Sequence, residues 1–268
     1  MPTVQDARGV EVHLDCPPRR IVSLVPSTTE TLFALGLGDA VVGVTRFCIY
    51  PEASVAALPR VGGTKDLELA RLEALAPDLV VGNVEENTPA MFEAIEARWP
   101  LYAALPRTVD EALADLTNLG ALVGAEAAAW AWRGRAEAAR ARLRYRAEGA
   151  RWDYTYLIWR EPWMAVSDDT FIAAMLAEAG GVNRLAGHPD RYPTLTPEEL
   201  GGSPGDHVLL SSEPFPFKDK HRRELLAANG ALSSDRLHLI DGELCSWHGV
   251  RMAEGFAYLE ELLPALRG

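Results

Sequence analysis

Residues 20–45 read RIVSLVPSTTETLFALGLGDAVVGVT, and the order of patterns in this stretch decides the fold class. Residues 20–25 and 40–45 are short runs rich in β-branched side chains, which predict two strands. Between them, Ser27 and Glu30 have the spacing of a capping box and predict the start of a helix. A strand, a helix and a second strand in such short succession indicate parallel pairing through a helical crossover.

The same alternation continues along the chain. Further strands are predicted at residues 78–82, 101–105, 154–159, 163–167, 207–211 and 237–240, and further helices at 66–75, 109–122, 125–148, 170–178 and 250–266. The pattern predicts two α/β lobes with central parallel-type sheets, joined by one long backbone helix, and a ligand cleft between the lobes.

The predicted division is 1–108 for the N-terminal lobe, 109–150 for a helical connector that includes the long linker helix, and 151–268 for the C-terminal lobe. The long helix, residues 125–148, contains no proline and is rich in Ala, Arg and Glu, which form helices readily. An ordinary helix packed on the first lobe is the alternative interpretation of that segment.

Composition excludes several classes of protein. The chain has 268 residues, of which 48% are hydrophobic and 24% charged, values that are typical of a globular protein. Its formal net charge of −12, from 26 basic and 38 acidic residues, opposes binding to phosphate backbones and anionic lipids. No apolar run approaches the ~20 residues of a membrane-spanning helix. We therefore expect no nucleic-acid partner and no insertion into a membrane.

Motifs of known chemistry are sparse. The sequence has no P-loop motif, no HExxH motif and no GxGxxG after the first strand, so we expect a binding protein rather than an enzyme. Its three cysteines lack the spacing of a zinc ribbon. The first residues, MPTVQD, lack the basic and apolar segments of a signal peptide. Either the protein is cytoplasmic or a leader has been removed.

Several segments together resemble one family. They are residues 20–45, the Tyr50-Pro51 pair, LPRVGG at 58–63, DLELARLEALAPDLVV at 66–81 and GGVN at 180–183. The family is the helical-backbone class of ABC-transporter solute-binding proteins, whose members bind cobalamin, haem or ferric siderophores. The resemblance extends from about residue 5 to residue 266.

The resemblance implies a function and its partners. It implies a monomeric solute-binding receptor outside the cytoplasm that delivers a metal chelate to an ABC permease and its ATPase, with no intrinsic cofactor. Glu68 and Glu198 match the positions at which family members dock on permease arginines. A carboxylate on each lobe is suited to such pairing, since arginine binds carboxylates in a bidentate manner. Both acids also fit ordinary surface positions near helix starts.

Candidate ligand-binding residues lie on loops at the carboxyl ends of the predicted strands. They are Phe47, Cys48, Tyr50, Glu85, Asn87, Trp159, Arg160, Trp163, Glu213, Phe215, Cys245, Trp247, His248 and Arg251. Aromatic rings stack on planar ligands, and Arg160 and Arg251 are suited to neutralising ligand carboxylates. Any one tryptophan also fits the role of a partly buried anchor.

Cys48, Cys245 and His248 suggest a second chemistry, because thiolate and imidazole bind zinc, iron or haem iron. Their spacing is not diagnostic, and a free cysteine usually behaves as a small buried hydrophobe. The alternative function is a cytoplasmic protein that handles a metal chelate or tetrapyrrole, either a chelatase-like enzyme or a sensor. In that case His248 and Cys245 would serve the metal.

Overall fold

The computed structural model describes residues 2–201 and 206–267. The chain forms two compact units. Unit 1 comprises Met1–Pro106, Asp110–Arg135 and His248–Arg251, and unit 2 comprises Arg107–Val109, Ala136–Trp247 and Met252–Gly268. Residues 109–150 are therefore divided between the two units and form no separate connector. Asp110–Arg135 groups with unit 1, and the residues from Ala136 onward group with unit 2. The four residues from His248 return to unit 1.

Unit 1 contains a small hairpin and a four-stranded sheet. The strands are β1 (Val4–Gln5), β2 (Glu11–Val12), β3 (Ile21–Ser23), β4 (Val41–Val44), β5 (Leu79–Asn83) and β6 (Leu101–Ala104). The sheet order is β4-β3-β5-β6, and all its neighbours are parallel. The predicted crossover topology of this lobe is therefore confirmed.

Both faces of this sheet are covered. The helices are α1 (Pro26–Ala34), α2 (Glu52–Val55), α3 (Leu69–Leu75), α4 (Pro89–Glu96) and α5 (Val109–Leu122). Successive residues of β3 point into different cores: Ile21 packs with Leu32 of α1, and Val22 packs with Leu72 of α3. A strand buried on both faces gains stability from apolar side chains on either side, which explains why Ile21 and Val22 are consecutive apolar residues.

The predicted capping box at Ser27 is wrong. Helix α1 begins at Pro26, its N-cap residue is Val25, and no side chain caps it. Proline is favoured in the first turn because its fixed φ suits a helix and its missing N–H needs no partner there. Ser27 therefore lies inside the first turn, where its carbonyl accepts a hydrogen bond from the Thr31 hydroxyl at 2.9 Å.

Unit 2 is built around a mixed sheet. Its strands are β7 (Trp152–Trp159), β8 (Trp163–Ala165), β9 (Gly181–Asn183), β10 (Thr194–Leu195), β11 (His207–Ser211) and β12 (Leu237–Ile240). The order is β10-β8-β7-β11-β12, with β9 also paired to β7. Strands β7, β11 and β12 are parallel to one another, whereas β8 and β10 are antiparallel to their neighbours.

The remaining helices complete the two units. They are α6 (Glu126–Arg146), α7 (Phe171–Ala177), α8 (Asp219–Ala228), α9 (Gly242–Ser246) and α10 (Met252–Leu266), with short 3-10 helices at Gly38–Ala40, Glu199–Gly201 and Gly249–Arg251. The predicted long helix is present as α6, whose 21 residues span about 32 Å. Within the two described ranges, no helix combines the length and the apolar character that crossing a membrane requires.

A close backbone approach at Gly180 yields a stability prediction. Gly180 has φ +81°, and a Cβ there would lie 2.4 Å from the Ala150 carbonyl oxygen. Gly149 has a similar φ of +71°, but a Cβ there would have no other atom within 4 Å. Gly149→Ala should therefore cost only the left-handed strain, about 1 kcal/mol, whereas Gly180→Ala should cost about 2–4 kcal/mol because the backbone must also move.

Urea unfolding of both variants beside the wild type measures the difference. The Gly149→Ala variant controls for the effect of φ, since the two glycines differ in what surrounds them. Equal losses in the two variants would contradict the close approach of Gly180 to Ala150.

Candidate functional site

The loops that follow β4 and β5 carry the candidate residues of unit 1. Because parallel strands end at one edge of a sheet, these loops emerge at the same edge, on either side of β3. Phe47 and Ile49, after β4, are 50% and 46% exposed, which is unusual for large apolar side chains. The Arg46 guanidinium lies 5.7 Å from the Phe47 ring and pairs with both carboxylate oxygens of Asp66, at 3.1 and 2.5 Å.

Cys48 lies in the core rather than on the loop surface. It is fully buried, and its Sγ lies 3.1 Å from the Thr29 hydroxyl, which donates to it, and 3.2 Å from the Thr45 hydroxyl. Burial raises the pKa of the thiol. Cys48 is therefore a protonated thiol that helps to anchor the loop beneath Phe47.

Asn87 holds the loop after β5 in shape. Its Oδ1 accepts from the Asn83 N–H at 2.9 Å, and its Nδ2 donates to the Thr64 carbonyl at 2.9 Å. Asn87 is only 2% exposed, so its amide serves the fold. Glu85 is partly exposed, and the Lys65 ammonium donates to its backbone carbonyl at 2.5 Å.

The segment Gly249–Arg251 packs on helix α1. Arg251 donates from Nε and Nη2 to the two carboxylate oxygens of Glu30, at 2.7 and 2.6 Å. Its guanidinium also lies 4.7 Å from the centre of the Tyr50 ring. The Val250 N–H donates to the Thr31 hydroxyl at 3.3 Å. Glu30, assigned to a capping box from the sequence, thus orients Arg251 and through it Tyr50.

His248 is a buried, neutral imidazole. Its Nε2 lies 3.4 Å from the Asn83 amide nitrogen, and its Nδ1 lies 3.9 Å from Asp115 Oδ2. An amide nitrogen only donates, so Nε2 accepts and Nδ1 carries the proton. Burial lowers the pKa of His248 to about 4.

Asp115 is the acid beside that imidazole. Burial raises its pKa to about 6, against the opposing effect of the hydrogen bond that the Tyr102 hydroxyl donates at 2.6 Å. Asp115 and Tyr102 also line an open cavity of about 270 Å³ together with Asp6 and Glu111. This acidic cavity belongs to unit 1 alone.

In unit 2 the candidate aromatic residues divide into exposed and buried members. Trp159, at the end of β7, is 43% exposed and meets Phe215 edge to face at 5.7 Å. Trp163 is buried and stacks on Phe217 with ring centres 5.9 Å apart. Trp247 is also buried, which leaves Trp159 as the most exposed of the predicted tryptophans.

The charged candidates of unit 2 are engaged within the unit. Arg160 donates to both carboxylate oxygens of Glu224, from Nε at 3.0 Å, and it also pairs with Glu161. Glu213 Oε1 accepts from the Trp247 indole N–H at 2.6 Å and from the Ser246 hydroxyl at 2.9 Å. These bonds fix the loops after β7 and β11.

The proposed metal ligands are not assembled. Among the described residues, no group of three or more His, Cys, Asp and Glu side chains is placed to hold a metal ion. Cys245 is fully buried in unit 2, and burial raises the pKa of its thiol. Cys48 and His248 belong to unit 1, where Thr29 and Asn83 contact them.

The two acids expected to dock a permease lie on the surface. Glu68 precedes α3 without capping it, is about half exposed, and pairs with Arg71 at 2.7 Å. Glu198 is exposed, and its backbone carbonyl accepts from the Asn229 amide at 3.4 Å. Both carboxylates are therefore accessible from solvent.

Residues 201–205 read GGSPG and match the G-x-S-x-G pattern of serine nucleophiles. In that motif the serine lies on the turn from a strand into a helix. Here Gly201, the first residue of the motif, ends the 3-10 helix Glu199–Gly201, and strand β11 begins at His207. Residues 202–205 themselves lie outside the described residues.

Sequence reasoning missed the partners of the predicted residues. Glu30, Asp115 and Glu224 each contact a candidate side chain, and none was named as part of the site. Their roles depend on contacts between residues far apart in the chain, 221 positions in the case of Glu30 and Arg251.

The burial of His248 gives a prediction for pH. In the unfolded chain His248 takes up a proton near its ordinary pKa of 6.5, but in the folded chain only near 4, so folding stability is lost as the pH falls through this range. Between pH 7 and pH 5 the loss is on the order of 1–2 kcal/mol. His248→Gln should lack it, as measured by urea unfolding at both pH values.

Asp115→Asn is a matched variant, because Asp115 changes folding stability with pH in the direction opposite to His248. The pKa of Asp115 is about 6 in the folded chain, against its ordinary value of 3.8. Acidification from pH 7 to pH 5 therefore stabilises the folded chain through Asp115, and this stabilisation is lost as the pH rises through 6. The variant should therefore lose more stability than the wild type over the same range. The same pH dependence in all three proteins would contradict the burial of this pair.

Comparisons with known proteins agree with the fold. A family model described as periplasmic binding protein matches residues 21–232. The vitamin B12-binding protein of Vibrio cholerae serotype O1 is 28% identical over 210 residues, which cover 76% of this chain and 72% of that protein. An uncharacterized ABC transporter substrate-binding lipoprotein of Bacillus subtilis, YvrC, is 40% identical over 94 residues, 35% of this chain and 29% of that protein.

Among solved structures, the periplasmic heme-binding protein RhuT from Roseiflexus sp. RS-1 superposes with a TM-score of 0.79 at 25% identity, covering 93% of this chain and 98% of that chain. The α/β fold with a long helix and the resemblance that the sequence indicated are both confirmed. The family match covers more than three quarters of the chain. The chain therefore belongs to the periplasmic binding protein family.

Proposed function

We propose that this chain is the solute-binding receptor of an ABC importer, that it works outside the cytoplasm, and that its ligand is a metal chelate of the cobalamin, haem or ferric-siderophore class. The observation that carries the proposal is the exposure of large apolar side chains at strand ends in each unit. They are Phe47 and Ile49 in unit 1 and Trp159 in unit 2.

Such side chains favour a ligand with flat or apolar surfaces. An aromatic ring left half exposed gains roughly 25 cal/mol for each Å² of apolar surface that a ligand covers. Stacking on a conjugated ring adds further stabilisation. We assign Phe47 and Trp159 as ligand-contacting residues, and we assign Tyr50, Trp163 and Trp247 to positioning.

The relatives support this class of ligand. The protein of Vibrio cholerae binds vitamin B12 and that of Roseiflexus binds heme, as their names state. Both are binding proteins, which fits a receptor without catalysis. The alternative of a chelatase-like protein relied on Cys245 and His248. Among the described residues no group of metal-ligating side chains includes either of them, and burial keeps the Cys245 thiol protonated, so neither residue favours the alternative.

Ligand titration followed by tryptophan fluorescence tests the proposal. The purified protein should bind at least one of cobalamin, haem and ferric siderophores with saturable quenching. Trp159→Ala and Phe47→Ala should each weaken binding about tenfold to a hundredfold, because each removes a stacking surface. Trp130→Ala is the matched control, since Trp130 is 59% exposed on α6 and lies outside the proposed loops. Absence of binding to all of these chelates would overturn the proposal.

The permease contact has its own test. Glu68→Ala combined with Glu198→Ala should abolish import in cells while chelate affinity stays at the wild-type value, because both acids are exposed and far in sequence from the aromatic loops. Glu73→Ala with Glu261→Ala removes two other exposed acids, one in each unit, and should leave import intact. Loss of chelate affinity in the first double variant would contradict a role in docking.

A further inference from the structure

We infer that the chelate bound by this chain carries no net negative charge. The inference rests on the proposed function, because it concerns the loops assigned there to ligand binding, and it narrows the ligand to neutral or cationic chelates. It follows from the way in which the arginines of those loops are paired.

In unit 1, two loop arginines each hold a carboxylate through two hydrogen bonds. Arg251 holds Glu30 at 2.7 and 2.6 Å, and the two side chains are only 11% and 21% exposed. Arg46 holds Asp66 at 3.1 and 2.5 Å. Bidentate pairing of this kind is the strongest arrangement available to a guanidinium, and it cancels its charge locally.

In unit 2, the balance at the corresponding loop is negative. Arg160 holds Glu224 through both carboxylate oxygens and also pairs with Glu161. One cation therefore faces two carboxylates. The Arg160 guanidinium also lies 5.1 Å from the centre of the Trp163 ring. The guanidinium therefore contacts an aromatic ring in addition to its carboxylate partners.

A ligand carboxylate would gain little from either loop. Moving an anion out of water costs several kcal/mol unless a cation compensates it, and the charges of these cations are already compensated. The net charge of −12 adds repulsion over longer distances. A neutral or cationic chelate avoids this cost and still covers Phe47 or Trp159.

From the sequence, Arg160 and Arg251 were expected to neutralise carboxylates of the ligand. Their pairing within each unit indicates a different role. Both are positioning residues: each links a carboxylate of its own unit to an aromatic ring, Trp163 in one case and Tyr50 in the other.

The test uses pairs of chelates that share a core and differ in charge. One pair is cyanocobalamin, which is neutral, and its monocarboxylic acid, in which one peripheral amide is hydrolysed. The other is ferrioxamine B, a cation, and its N-succinyl derivative, an anion. For each core that the wild-type protein binds, the neutral or cationic member should bind at least tenfold more tightly in low salt, and the difference should shrink in 1 M NaCl.

Two variants make the test specific to the arginines. Glu30→Gln leaves Arg251 without the Glu30 carboxylate, and Glu224→Gln leaves Arg160 with Glu161 as its one remaining carboxylate partner among the described residues. In each variant the loop loses one negative charge, so the affinity ratio within a pair should shift about tenfold toward the anionic member. Glu73→Gln and Glu260→Gln remove other acids that pair with arginines, one in each unit, and should leave the ratio unchanged. Thermal melting of each variant verifies that it is folded.

The outcomes separate this inference from the proposed function. Preference for the neutral or cationic member, relaxed only by Glu30→Gln and Glu224→Gln, supports the inference. Binding of the anionic member with equal or greater affinity overturns it while the proposed function stands. A preference that the control variants relax equally also overturns it, because the effect is then one of overall charge. Binding of no chelate overturns the proposed function and the inference together.

Discussion

The parallel pairing of β3 with its two neighbours is the constraint on which unit 1 depends. β3 lies between β4 and β5, and its three residues are fully buried. A shift of one residue in register would exchange Ile21 and Val22 between the two cores, so the pairing is strongly specified. β11 has the same position between β7 and β12 in unit 2. Because these strands cannot slide, the loops at their carboxyl ends start from fixed points.

The burial of an element also determines how well it could be predicted from the sequence. Strand β11 occupies the predicted residues because it is buried on both faces and therefore carries an apolar run, residues 208–210. Strand β12 also occupies its predicted residues, although Leu239 is 44% exposed. Helix α8 escaped notice because its sequence, DKHRRELLAA, opens with polar residues. It is held by Leu225 in the core and by the His221 ring, which accepts from the Lys218 N–H at 3.0 Å. The packing of Leu225 joins residues far apart in the chain and exists only after folding.

The candidate site was predictable in kind but not in its connections. Aromatic and charged residues at strand ends could be recognised from their order along the chain, since parallel strands place those ends at one edge. Which of 38 acids pairs with Arg251 or Arg160 could not, because the sequence separations are 221 and 64 residues. The burial of Cys48 was equally hidden, since it depends on hydroxyls from Thr29 and Thr45, which lie on α1 and directly after β4.

The fold thus separates two groups that look alike in the sequence. Tyr50 and Trp163 each lie beside an arginine whose charge a carboxylate balances, so their rings are oriented from within their own unit. Phe47, on the loop after β4, and Trp159, at the end of β7, remain exposed beside those contacts. On the proposed assignment of Phe47 and Trp159 to ligand contact, such a binding protein would select its ligand through apolar shape more than through charge. Because the exposed residues contribute little to the core, they can be exchanged without loss of the fold, which explains how one scaffold serves chemically unlike ligands.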